Sequence, residues 1–172
     1  MSNLKKFYLS PLFLTVILSC LPSNSFGQGR NSNFSIDPLG LLAGVANLEM
    51  EWSVADDKSI GPTLSYSNIS SSTTSGSAVG FGVVLTVNVG HKVFTDGWFL
   101  RPSADYAIAT ANSQSATGLG LGADVGYWWF QDNGINFALG LGYQYFTMNM
   151  ASIGLNTSAG RGNAMAQIGY SF

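Results

Sequence analysis

Glu49 and Glu51 stand two residues apart, Arg101 and Asp105 four apart, and Asp124 and Arg161 follow further along the chain. Even spacing puts side chains on one face of a β-strand, so the sequence offers a carboxylate pair and an adjacent cation and anion. Such a set can serve as a structural ion-pair network, as a relay for protons or ions, or as general acid and base. Nucleophilic catalysis needs a base beside a hydroxyl or thiol and an acid to orient it. The one histidine, His91, sits beside Lys92 in a turn-like segment with no converging Ser and acid. No catalytic residue is therefore assigned, and no enzyme is expected. With one His, one Cys and acids at strand spacing, neither a metal site nor a cofactor is expected. Gly118-Leu119-Gly120-Leu121-Gly122 imitates a nucleotide loop, but more alternation follows it instead of the helix that a phosphate requires.

The elements that must carry these residues show themselves in the stretch from Thr117 to Met148. Leu119, Leu121, Ala123, Val125, Tyr127 and Trp129 share one parity, while Gly118, Gly120, Gly122, Asp124 and Gly126 share the other. After Gln131-Asp132-Asn133-Gly134, Phe137, Leu139, Leu141, Tyr143 and Tyr145 oppose Asn136, Ala138, Gly140, Gly142 and Gln144. Two alternating runs around Asn-Gly predict a hairpin. Its polarity is unusual: the second face carries glycine and a few polar residues rather than the Lys and Glu of a soluble sheet. That suits a barrel with lipid outside and a narrow interior. Charged residues make up 9% of the chain, against about 25% in ordinary soluble domains. Beyond the N-terminus no run of about 18 apolar residues occurs to form a spanning helix. A net charge of -2 gives no basic footprint for nucleic acid.

Residues 1–27 read as a signal peptide: Lys5 and Lys6, an apolar core from Phe7 to Leu18, and small residues at Ser25 and Gly27 before a cleavage ahead of Gln28. Cys20 follows Ile17-Leu18-Ser19, an imperfect lipoprotein box; cleavage after Gly27 leaves no thiol. Residues 28–32 form a flexible periplasmic lead-in, and 33–172 the barrel. A first strand is expected over Asn33 to Leu41, in preference to a helix opened by Asp37-Pro38, because two glycines follow. The next strands are expected over Val45 to Val54, Ser59 to Asn68 with a bulge at Pro62, Ser77 to Gly90 and Trp98 to Ala109. The hairpin and Gly160 to Phe172 complete eight, with polar loops around Ser72, Ser113 and Ile153.

Parity points Glu49, Glu51, Arg101, Asp105 and Asp124 into the lumen as a polar network. The four tryptophans, Trp52, Trp98, Trp128 and Trp129, gather near the short connections; Trp52, Trp98 and Trp129 mark one membrane interface, and Tyr66, Tyr106, Tyr143 and Tyr145 the other. Ile36-Asp37-Pro38-Leu39-Gly40-Leu41 followed by Asn47-Leu48-Glu49 and Glu51 resembles the opening of a bacterial family of small outer-membrane barrels of unknown function. The rest is similar in general terms to eight-stranded barrels of the OmpA and OmpW kinds. Tyr170 and Phe172 resemble the C-terminal signal read by the barrel-assembly machinery. The resemblance implies a monomer in the bacterial outer membrane, with outer-membrane lipids and that machinery as partners. A structural, envelope-integrity role is expected first, a narrow pore for small solutes or ions second, and a lipid A-modifying enzyme last.

Overall fold

The computed structural model describes residues 29–70, 75–111, 114–150 and 155–172; the expected signal peptide with Cys20 lies outside them. The described chain is an all-β, closed antiparallel barrel. Its strands are β1 (Ser32–Ile36), β2 (Val45–Ala55), β3 (Lys58–Ser70), β4 (Ser75–Asn88), β5 (Gly97–Ala111), β6 (Gln114–Phe130), β7 (Ile135–Met150) and β8 (Leu155–Ser171). Each pairs with its neighbours in sequence, and β1 closes the ring on β8. Paired residues followed around the wall from Ile36 run through Leu48, Leu64, Phe81, Tyr106, Leu119 and Thr147 to Ser158, yet Ile36 itself abuts Ile168. The strands are thus staggered by about ten residues per circuit, which for eight strands means a tilt of roughly 40°. Asp56-Asp57, residues 89–96, the β6–β7 turn and both described chain ends lie at one end, here the turn end. The opposite end is the loop end.

Exposure follows the alternation, inside out. Leu119, Leu121, Val125, Leu139, Leu141, Phe81 and Val83 are exposed, while the buried polar and charged residues outnumber the buried apolar ones. The outer face is therefore the apolar one, as the lipid-facing pattern requires. At the β6–β7 turn the left-handed backbone falls on Gly134 alone (φ 93°), and Asn133 instead accepts the Ile135 N–H on its side chain at 3.0 Å.

Several expectations need correction. The first strand stops at Ile36, and Pro38–Leu42 forms a short helix, α1. Asp37 caps it by accepting the Gly40 N–H at 3.0 Å, with Pro38 at its start. Gly40, which argued against a helix, is what this one needs: a methyl there would lie 2.9 Å from the Val45 carbonyl. No bulge forms at Pro62, where two ladder positions are skipped on the β2 side and the register is kept; the register shift lies between Ser53 and Ala55. The described residues on either side of Ser72, Ser113 and Ile153, expected as loop, are strand, since the ladders run to Ser70↔Ser75, Ala111↔Gln114 and Met150↔Leu155. Residues 71–74, 112–113 and 151–154 are outside the described set. Ser32 already belongs to β1, and before it Arg30 donates to the carbonyls of Gln131 (2.5 Å) and Asp132 (3.0 Å), tying down an arm expected to be loose.

Candidate functional site

Glu49 and Glu51 leave the same face of β2 because they are two apart, and Arg101 enters the lumen from β5 on the far side. The structure brings these three together. Arg101 pairs with Glu49, and its Nη2 lies 3.7 Å from Glu51. All three are at most 5% exposed, so the charges must be matched within the wall. Ser59 donates to Glu51 at 2.6 Å, Gln167 to Glu49 at 3.2 Å, and Arg101 also contacts the Met165 sulfur at 3.1 Å.

Asp105 and Asp124 do not join this cluster. Asp105 accepts from Thr63 at 3.3 Å and from Gln144 at 3.4 Å, and Gln144 in turn accepts from Arg161 at 3.1 Å. Arg161 lies over the Phe146 ring, 5.8 Å from its centroid. Asp124 faces Arg101 across the β5–β6 ladder, yet it accepts from Asn163 at 2.8 Å while the guanidinium turns to β2. The expected single network is two tiers, a sealed one near the turn end and a more open one near the loop end.

Against the sealed tier packs the buried apolar part of the lumen, which shares the turn end with buried Asn33, Thr86, Asn88 and Asn136. Phe99, Trp128, Ala138 and Met165 form one buried cluster against which Phe130 packs. Trp128, grouped by sequence with the rim tryptophans, is 2% exposed, with its ring 5.8 Å from that of Phe99. Trp52, Trp98 and Trp129 are exposed on the outer wall, as are Tyr66, Tyr106, Tyr143 and Tyr145. Phe94, from the connection between β4 and β5, tucks under the turn end edge-on to Phe130 at 6.3 Å. Its backbone is left-handed (φ 56°), which a non-glycine residue adopts only where its surroundings hold it. Between Glu51, Thr86, Trp128, Phe94 and their neighbours remains a cavity of about 10 Å³, room for one water at most.

Alternation extended along β8 would have found Gln167; Asn136, already on the inward parity of β7, donates its amide to Asn33 at 2.7 Å. The partner of Arg101 needed the register. His91 stays at the turn end, where its Nε2 meets the Trp98 carbonyl at 2.8 Å. Among the described residues no group of His, Cys, Asp and Glu is placed to hold a metal ion. A groove of about 510 Å³ lies on the outer face near the loop end, over Leu119 and Thr147 between Tyr106 and Tyr145. Tyr170 and Phe172 stack with ring centroids 6.3 Å apart. The chain matches no protein-family model, no curated protein and no solved structure.

Proposed function

We propose that this chain is an outer-membrane barrel with a structural, envelope-integrity role, its lumen closed to solute flow by its own side chains. One observation carries this reading: the wall is apolar outside between tryptophan and tyrosine rows, while its axis is filled by the Glu49, Arg101 and Glu51 cluster and by Phe99, Trp128 and Met165. A band of this kind, flanked by aromatic rows, matches lipid-exposed barrels. An eight-stranded interior is just wide enough to be filled by side chains, and this one is filled across the whole cluster. The partners it calls for are outer-membrane lipids and the barrel-assembly machinery, which would read Tyr170 and Phe172; a monomer suffices.

The test pairs heat-modifiable gel mobility, which reports folding, with single-channel recording in planar bilayers. The folded wild-type chain is expected to show no stable unitary current. Stable currents that change in Arg101→Ala would replace this reading with the narrow pore. A dissolved monomer without detergent, or water contact at spin labels on Leu139 and Val83, would remove the membrane assignment itself.

A further inference from the structure

The ring of strands is not equally tall all the way round. β1 has five residues and β2 eleven, while β8 has seventeen. Ladder pairing between β1 and β8 stops at Ile36↔Ile168, and no described strand borders β8 from Leu155 to Gln167 on that side. In its place stands α1, five residues long with none buried, which exposes Leu39, Leu41 and Leu42.

The break lies at a telling level. Tyr143 and Tyr145 pair directly with Gly162 and Gly160, so the stretch from Ile168 up to Gly160 runs from inside the apolar band to the tyrosine row. Phe172 donates to Ser32 and accepts from Asn31 and Ser32. Antiparallel ladders send both backbone groups of alternate residues to the same side, so Ala166, Ala164, Gly162 and Gly160 point theirs into the break. Unpaired backbone at membrane depth is costly and tolerated only beside a polar partner. Residues 157–162 are exposed on both parities, including the inward Arg161. At the foot of the break Gln167, 4% exposed, keeps Oε1 without a partner among the described residues.

We propose that this break is a lateral binding site, through which an outer-leaflet amphiphile lays its acyl chain against the α1 leucines and the small outer face of β8 and reaches the upper lumen. This rests on the membrane reading above. Three features select that occupant. The break is continuous with the lipid-facing band, the outer face of β8 beside it is a bare slot at exposed Ala164 and Gly162, between buried Ala166 and the Tyr143 ring over Gly160, and the free β8 edge supplies donors and acceptors for ester or hydroxyl groups. A second copy fits poorly: two barrels side by side in one membrane would cross their equally tilted β8 strands instead of laying them in a ladder.

The test uses the full chain in a Cys20→Ser background, folded into phosphatidylcholine vesicles with brominated acyl chains, which quench a nitrobenzoxadiazole label on contact. Labels are placed by Leu139→Cys on the outer wall, Asn163→Cys inside β8 beside the break, and Ala107→Cys inside β5 on the opposite wall. Arg161→Cys replaces Asn163→Cys if that variant does not fold. Leu139 and the β8 position should be quenched, with Ala107 quenched several-fold less. Gly162→Trp fills the slot without backbone collision, because a Cβ there meets nothing nearer than the Gly142 carbonyl at 3.9 Å; it should cut quenching at the β8 position by at least half. Quenching at Leu139 alone, equal quenching of both inner labels, or no effect of Gly162→Trp would overturn the lateral site and leave the membrane reading standing. No quenching at Leu139 would overturn the membrane reading first.

Discussion

Toward the turn end of the lumen, Glu49, Glu51 and Arg101 are sealed over a floor of Phe99 and Trp128, with the Met165 sulfur against the guanidinium. Toward the loop end, Asp105, Asp124 and Arg161 are held by neutral partners, Thr63, Gln144 and Asn163, and Arg161 is exposed. Both halves carry charge, but only the first has removed it from water. A charge buried without its counter-ion costs several kcal/mol, whereas an exposed one costs almost nothing. The lower half should therefore behave as one cooperative unit, and the upper half as a set of independent side chains.

Removing the shared cation tests that contrast hardest. Arg101→Ala leaves two carboxylates facing one another and should destabilise the folded barrel by roughly 3–5 kcal/mol in urea unfolding from vesicles. Arg161→Ala, its counterpart above, should cost under about 1 kcal/mol. Equal losses would erase the distinction. Arg101→Met combined with Glu49→Gln and Glu51→Gln should recover much of the loss, since a neutral, filled lumen has no charge to strand. Trp128→Ala should cost about 3–5 kcal/mol by opening a void in the floor, and Trp129→Ala, its outward neighbour, much less.

The outer wall allows a graded version. Leu121 pairs with Tyr145 and so lies at the tyrosine row, whereas Leu141 pairs with Val125 nearer the middle of the band. A mid-membrane cation costs roughly 2–4 kcal/mol and a rim cation about 0–1. Leu141→Arg should follow the first figure and Leu121→Arg the second, although the position of Leu121 within its strand suggests mid-membrane. The smallest effect is at the turn. Lys58, 2.8 Å away, holds the Asp57 carboxyl below its usual range. A carboxyl lowered by folding adds stability above its unfolded pKa and loses it as pH falls through the folded value. Asp57→Asn should cost a little at neutral pH and nothing once the carboxyl is protonated, flattening only that acid limb of the stability curve; a loss as large at acid pH as at neutral pH would contradict the assignment.

Most of the wall was legible because a period of two is imposed on every strand by geometry. Leu119 to Trp129 and Phe137 to Tyr145 needed nothing but parity, and the same rule already put Trp128 opposite Trp129. What parity cannot supply is depth or stagger. Which acid meets Arg101 depends on a displacement of about ten residues per circuit, and no local pattern records it. The helix at Pro38 was lost for another reason: the cap and proline outweigh Gly40, whose usual cost is reversed by the close approach of Val45. The polar ends of β3 to β8 read as loops because serine and threonine favour turns, yet each hairpin holds them in its ladder.

The carbonyl of Phe172 receives the amides of Asn31 and Ser32, and its own N–H returns to Ser32. The clasp that shuts the ring thus joins the earliest described residues to the final one. The wall is complete only once β8 has met β1, so the two strands furthest apart in the described chain are the ones that shut the ring. Until those two strands meet, no closed wall separates the apolar exterior from the charged axis. Closure of the ring is therefore the contact of longest sequence separation in the described barrel, the kind whose loop-closure cost makes it slow to form.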